Sequence, residues 1–337
     1  MRYRSLGSTG LAVSEIGFGT WGLGGTSYGP VDDRESRLAL ELAFDRGVTF
    51  YDTSDLYGDG HSEEVLGRAL AGKRQAVVIA TKVGLLPHTG FYMPNDFSAE
   101  RIASGLEASL RRLGTDYVDL YQLHSPQLDL PNWDAILAAL QRLKASGAIR
   151  AYGISARSPA DAATAIARFG FPVVQVNFNL IDQRAIDAGL LKLCAERQIG
   201  VIARTPLCFG YLSGRLTGDE TFTPGDHRAN WPPEQRRRWA RAPAVFSPVI
   251  KGSDRTIVQL ALQWCLANAA VSTVIPGMMT CAEVAEDVAV ANMPTLTTGE
   301  YEAIRMGYRT EVFYDPGAKN DPSARGNAPG GTQEPRA

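Results

Sequence analysis

VVIATK, residues Val77–Lys82, is a run of β-forming residues with almost no polar alternation, and it ends on a lysine. A strand wetted on one face alternates apolar and polar residues, whereas a run apolar on both faces belongs to a parallel sheet covered on both sides. Seven similar runs flank it: Glu15–Thr20, Val48–Asp52, Val118–His124, Ile149–Ser155, Val173–Asn179, Val201–Arg204 and Ser272–Pro276. Amphipathic stretches with readable ends lie between them. Arg34–Asp45 sets Leu38 above Leu42 and Ala39 above Ala43, and Gly47 stops it. Ser98 is a natural N-cap for a helix through Leu106 and Leu110 that closes at Gly114. Asn132–Lys144 carries Ile136, Leu140 and Leu143 on one stripe before Gly147, and Asp254–Leu266 reads as a further helix. Strands alternating with helices eight times predict an α/β fold of the (β/α)8 TIM-barrel kind. A doubly wound open sheet is the alternative, because alternation does not show closure. That fold would favour an early GxGxxG between strand and helix, and none is there.

Composition narrows the function class. At roughly 150 residues per domain, a chain of 337 allows two domains, but a single barrel absorbs the length. Residues 1–314 are expected as one barrel domain. Residues 315–337 hold four Pro and four Gly and no Val, Ile, Leu, Met or aromatic, so they are expected as a disordered tail. With 34 Lys and Arg against 36 Asp and Glu, there is no field to hold nucleic acid. No apolar run reaches the roughly 18 residues of a membrane span, and MRYRSLGSTG lacks a secretory apolar core. Cysteines 194, 208, 265 and 281 form no CxxC and read as buried thiols of a reducing, cytoplasmic compartment, with no metal site. Twenty-eight arginines against six lysines point to a GC-rich bacterial genome. A homo-oligomer is compatible with the sequence.

In a barrel of this kind, chemistry gathers at the C-terminal ends of the strands. Those ends carry Asp52, Lys82, His124, Ser155, Gln175 and Arg204. A buried ammonium needs a partner, and Asp52, ending the strand before, is the natural counter-charge to Lys82. Tyr57 follows five residues after Asp52 in DTSDLYG. A phenol with a pKa near ~10 is a poor proton carrier at neutral pH, and an adjacent Lys⁺ lowers that value. Neutral His124 is suited to polarise the same carbonyl. Taken singly, each residue has a structural explanation. Together, at or just beyond three consecutive strand ends, the four read as a tuned general acid facing a carbonyl.

RSLGSTGLAVSEIGFGTW, FYDTSDLYGDGHSEEVLGRAL, IATK and SLRRLGTDYVDLYQLH together resemble the aldo-keto reductase superfamily, over Met1 to about residue 312. The first of these segments is similar to that family's opening β-hairpin. The resemblance implies an NAD(P)H-dependent barrel enzyme in which Tyr57 donates the proton, Lys82 lowers its pKa, Asp52 pairs with Lys82 and His124 orients the carbonyl. It implies hydride from nicotinamide C4, NADPH as the default cofactor, and no metal. Trp21, Tyr57 and His124 would meet the substrate. Cofactor contacts implied are Gly19, Thr20, Trp21 and Asp52, then Ser155 and Gln175 at the carboxamide. Arg204 would stack on the nicotinamide, Thr205, Pro206 and Leu207 would meet the pyrophosphate, and Arg215 a phosphate. Gly277, Met279, Glu283, Glu286 and Asp287 fall on the adenosine end. Glu283 stands where many members place Arg or Gln, which opens NADH or dual use. Ala156 replaces a common Asn.

The expected reaction is reduction of an aldehyde or ketone, a sugar or a secondary-metabolite keto group among them, to an alcohol. Alternatives are an NAD-dependent sugar dehydrogenase running the reverse reaction, a nucleotide-binding regulatory subunit like potassium-channel β subunits, and a lyase forming a Schiff base on Lys82. Substrate choice is expected from the long loops Leu85–Asn95 and Cys208–Pro248 and from Tyr308–Tyr314. The arginines of 235–241 read as a solvated face or a subunit contact, with a role near the cofactor phosphates left open. His61, His88 and His227 lie in polar, turn-rich stretches and read as surface.

Overall fold

In the computed structural model, which describes residues 1–88, 90 and 93–314, an antiparallel hairpin comes first: β1 (Tyr3–Ser5) with β2 (Ala12–Ser14). Eight parallel strands follow in sheet order equal to chain order. They are β3 (Phe18–Gly19), β4 (Phe50–Asp52), β5 (Val78–Val83), β6 (Val118–His124), β7 (Ile149–Ser155), β8 (Val173–Asn177), β9 (Gly200–Arg204) and β10 (Val271–Val274). Helices α1 (Asp33–Asp45), α2 (His61–Ala69), α3 (Ala99–Leu113), α4 (Trp133–Ala145) and α5 (Pro159–Phe169) connect the first strands. Short α6 (Arg184–Asp187) and α7 (Leu190–Glu196) precede β9. After it come α8 (Pro233–Ala240), α9 (Ala242–Phe246) and α10 (Ile257–Ala267), and α11 (Cys281–Ala289) and α12 (Thr298–Thr310) complete the set.

Closure decides between the two expected folds. Ile16 bridges Val274 and Gly19 bridges Gly277, both parallel. Gly17 N donates to Val274 O at 2.8 Å, and Val274 N to Glu15 O at 2.9 Å. The sheet therefore meets itself, and the fold is a (β/α)8 barrel.

Strand and helix ends move by a few residues for local reasons. Only Phe18–Gly19 of the expected Glu15–Thr20 run is ladder, because Glu15 to Gly17 make the closing contacts. The run from Val48 starts at Phe50, since Val48 N caps α1 through Ala43 O and Thr49 N binds Ser14 Oγ. Phe178 and Asn179 leave β8 for a turn in which Asn179 Oδ1 accepts from Ile181 N and Asp182 N. β10 stops at Val274, short of Pro276, which has no N–H to donate. α10 starts at Ile257 rather than Asp254, because Thr256 and Gln259 form a capping box. Ser98 and Gly114 cap α3 as expected.

The core sits in two layers. Large apolar side chains fill the space between strands and helices, while Leu6, Val13, Phe50, Val78, Ala80, Leu120, Val173 and Ile202 fill the base of the barrel. Leu6 and Val13 come from the hairpin, which plugs the N-terminal mouth. Side chains two apart on a strand share a face. Above Phe50 therefore stands Asp52, above Val78 and Ala80 stands Lys82, and above Leu120 stand Gln122 and His124. The interior turns from apolar to polar toward the C-terminal mouth. The expected tail, 315–337, lies outside the described residues, as do 89, 91 and 92 of one expected specificity loop.

Candidate active site

Asp52, Lys82 and Tyr57 meet at the top of β4 and β5. Lys82 is fully buried, and its Nζ donates to Asp52 Oδ1 at 2.5 Å, to Thr53 O at 2.7 Å and to Tyr57 Oη at 3.1 Å. An ammonium has three protons, so all three are engaged. Asp52 Oδ2 accepts from Gln175 Nε2 at 2.8 Å and Gln122 Nε2 at 3.1 Å. Burial alone would discharge Lys82, but Asp52 and Tyr57 outweigh it and hold the ammonium above its ordinary pKa. For Tyr57 burial is the larger effect. Lys82 pulls the phenol down as expected, yet burial, helped by Asp52, leaves it above its ordinary value. The phenol is thus a protonated acid at neutral pH. His124 lies edge-on to Tyr57 with ring centroids 6.0 Å apart. Burial, with Lys82, Arg204 and His88 adding repulsion, drops its pKa well below the usual 6.5, so the imidazole is neutral. Its Nδ1 lies 3.2 Å from Ser54 Oγ.

The backbone around Tyr57 is held tightly. Gly58 has φ of +62°, and a Cβ there would stand 2.2 Å from Gly24 O, so this turn admits only glycine.

A family model described as the aldo/keto reductase family matches residues 15–308. The chain belongs to the aldo/keto reductase family. Aldo-keto reductase YhdN of Bacillus subtilis is 33% identical over 272 residues, covering 79% of this chain and 81% of that relative. L-galactose dehydrogenase of Arabidopsis thaliana is 36% identical over 318 residues, covering 89% and 93%. The structure of a glycerol dehydrogenase from Gluconobacter oxydans matches with a TM-score of 0.78 at 31% identity, over 93% of this chain and 98% of that one. The protein is accordingly an NAD(P)H-dependent oxidoreductase.

The remaining residues expected at an aldo-keto reductase's cofactor lie along the tops of β3 and β7 to β10. Thr20 is inward-bound: its Oγ1 donates to Asp52 O at 3.0 Å. Ser155 Oγ donates to Gln175 Oε1 at 3.3 Å, so that pair forms. Arg204 donates to Ala156 O at 2.9 Å, while its buried Nε has no protein partner. Thr205 stands at φ +52° and binds Asn177 Oδ1, opening a tight turn through Pro206 and Leu207. Arg215 Nη2 lies 3.2 Å from Glu286, and Nη1 4.0 Å from Glu283. Glu283 also has a structural job, accepting from Met279 N and Thr280 N in the capping box of α11. The spelling Thr280-x-x-Glu283 is the signal for it. Asp287 is buried with Oδ2 unpartnered, and burial with Glu286 and Glu283 raises its carboxyl well above the usual range against Arg215. Two orphaned buried polar atoms, Arg204 Nε and Asp287 Oδ2, beside a basic side chain, fit a bound dinucleotide.

Several residues escaped the sequence reading. Gln122 shares the inward face with His124 two residues on, and the alternation of β6 could have found it. His227 is not surface: its ring packs edge-on against Trp21 at 4.9 Å and lies 5.2 Å from Phe209. Burial lowers its pKa to about 4. Tyr28, 5.1 Å from Trp21, extends this aromatic wall beside Tyr57. Two arginines of 235–241 serve their own loop: Arg237 pairs with Asp219 at 2.6 Å and Arg236 donates to Glu220 O at 3.0 Å. Cys194, Cys208 and Cys265 are buried as expected, and Cys281 is half-buried. Among the described residues no helix is long and apolar enough to cross a membrane.

Proposed function

We propose that this aldo-keto reductase reduces an aldehyde or ketone to an alcohol with Tyr57 as proton donor, Lys82 and Asp52 as its electrostatic support and His124 against the carbonyl oxygen. The 3.1 Å contact from Lys82 Nζ to Tyr57 Oη carries the reading, because it lets the ammonium stabilise the phenolate left after proton transfer. When bound, the nicotinamide supplies the hydride. Ser155 and Gln175 would hold its carboxamide, Arg204 would lie against the ring, residues 205–207 and Arg215 would take phosphates, and the 277–287 segment the adenosine.

The Schiff-base alternative conflicts with Lys82 itself. A lysine whose three protons are engaged, and whose charge Asp52 stabilises, has no lone pair for carbonyl attack. The aromatic wall of Trp21, Tyr28, Phe209 and His227 favours a carbonyl with an apolar or planar body over a charged one. NADPH is the first choice of cofactor, with Arg215 as phosphate ligand, and the carboxylates of Glu283 and Glu286 beside it favour NADH use. A carbonyl panel run with NADPH and NADH in parallel, followed at 340 nm, measures both points. Tyr57→Phe should abolish turnover and leave cofactor affinity, read by fluorescence titration, nearly unchanged. Full activity in that variant would remove the proton donor from the scheme. Negligible turnover across the panel with tight cofactor retention would instead favour a regulatory subunit.

A further inference from the structure

Ser54 lies between an imidazole and a carboxylate. Its Oγ is 3.2 Å from His124 Nδ1 and 3.1 Å from Asp55 Oδ1, and it accepts from Leu56 N at 3.2 Å. All three side chains are buried. A serine hydroxyl has one proton, so it donates to Asp55 or to His124 but not to both. An ionised carboxylate only accepts, and it makes the stronger, charge-assisted bond. With Asp55 ionised, Ser54 therefore donates to Oδ1, His124 keeps its proton on Nδ1 and donates to Ser54, and Nε2 is bare. With Asp55 protonated, Asp55 donates to Ser54, Ser54 donates to Nδ1, and the imidazole proton sits on Nε2. Both lone pairs of Ser54 are used in either state. The states differ by one proton: Nε2 gains it from water, Nδ1 passes its own to Ser54, and Ser54 passes its own to Asp55.

We propose that Ser54 and Asp55 are positioning residues that choose the tautomer of His124, so that protonation of Asp55 turns Nε2 from hydrogen-bond acceptor into donor. This rests on the reading of His124 as the group against the carbonyl oxygen. A carbonyl oxygen taking up hydride needs a donor, and the proton gained in reduction or given up in oxidation passes through Tyr57, so the Nε2–H tautomer serves the same transition state in both directions. Protonated Asp55 therefore favours turnover. The groups facing Asp55 place the switch in an accessible range. Burial and Glu63 on α2 push its carboxyl up to about 6, against Arg101, which donates to Oδ2 at 2.7 Å, and Arg112, both on α3; Tyr121 on β6 also faces it. His124 is faced by Lys82 on β5, Arg204 on β9, His88 and Tyr57, and burial with the repulsion of Lys82, Arg204 and His88 holds its pKa well below 6.5.

The test is 15N NMR of the full chain labelled at histidine, between pH 5 and 8, with the His124 signals assigned by their loss in His124→Asn. The expected pyridine-type nitrogen is Nδ1 at pH 5 and Nε2 at pH 8. One tautomer across the whole range overturns the proposal. In single-turnover reduction the wild type should slow about tenfold between those limits, the weight of one hydrogen bond. Asp55→Asn, whose amide donates to Ser54 at every pH, should hold the Nε2–H tautomer and lose that step. An unchanged step in Asp55→Asn is the second refuting result. Failure of the underlying reading shows separately, as full turnover in His124→Phe, and leaves the NMR result standing.

Discussion

Replacing Lys82 by methionine keeps most of the side-chain volume and removes the charge. In the folded protein the ammonium is fully buried against Asp52, itself 2% exposed. Its loss strands a carboxylate in the barrel, and breaking a buried pair from one side costs about 3–5 kcal/mol. Gln122 and Gln175 still donate to Oδ2, so the lower end applies, about 3 kcal/mol. For a chain of this size that lowers Tm by roughly 4 °C. Catalysis suffers separately. Tyr57 loses the donor at 3.1 Å that stabilises its phenolate, and removal of one such group costs about 10²–10³ in rate. The double variant Asp52→Asn/Lys82→Met leaves neither charge of the pair, so it should recover most of the lost stability and none of the activity. Thermal denaturation and absorbance at 340 nm with NADPH read the two effects independently. A double variant as unstable as the sum of the singles would refute the pairing. More than a tenth of wild-type turnover in Lys82→Met would refute its action on Tyr57.

Three further outcomes follow from other parts of the site. Gly58→Ala puts a side chain on a left-handed backbone and against Gly24 O, at a cost of about 3 kcal/mol, so Tm should fall by roughly 4 °C and turnover with it; an unchanged Tm would show that the turn is not held there. His227 has a folded pKa of about 4, below the unfolded value near 6.5, so the unfolded chain takes the proton first and stability drains as pH falls from about 6.5 to 4. Asp55, raised to about 6, works the other way, gaining stability as pH falls through that value. The stability of wild type relative to His227→Phe should therefore drop by about 3 kcal/mol from pH 7.5 to 4 in denaturant titrations, and a flat difference would contradict burial of a neutral ring. Glu283→Gln keeps the capping box and removes the charge beside exposed Arg215, so the affinity ratio should move toward NADPH by about two- to fivefold with Tm unchanged, and no shift would separate Glu283 from the phosphate.

What could be read from the residues was whatever lies along one strand or one helix. Val77–Lys82 and Val118–His124 announce buried parallel strands, and the charged or polar residue at each end announces the reactive mouth. Ser98 with Gly114 caps a helix by local rules alone. Closure was not legible, because the bonds of Glu15 and Gly17 to Val274 join the two ends of the sheet, and no local pattern encodes them. Gln122 was hidden by reading only the last residue of its run. His227 was hidden by its polar neighbours Asp226 and Arg228, since what buries it is the packing of Trp21 and Phe209 from elsewhere. At the adenosine end the sequence shows ligand chemistry alone, although Glu283 is also a cap and Asp287 a buried acid whose carboxyl is held well above its usual range.

The hydrogen-bond capacities at the centre limit how a proton travels. Lys82 has its three protons committed, Asp52 accepts from Lys82 on one oxygen and from two glutamines on the other, and Gln175 also accepts from Ser155. Such a network holds the ammonium beside the phenol and the carboxylate beside the ammonium, and the charge of the pair outlasts any one turnover. In the proposed mechanism the Asp52–Lys82 pair fixes the energy of the phenolate, and Tyr57 would be reprotonated from another side. His124 stands next to it, and behind His124 runs the chain through Ser54 to Asp55, whose carboxylate is held by Arg101, itself 32% exposed. The apolar base formed by Phe50, Val78 and Leu120 closes the opposite direction. The proposed mechanism thus puts proton supply and charge stabilisation on different walls of one barrel, one closed by apolar side chains and one reaching the half-exposed Arg101.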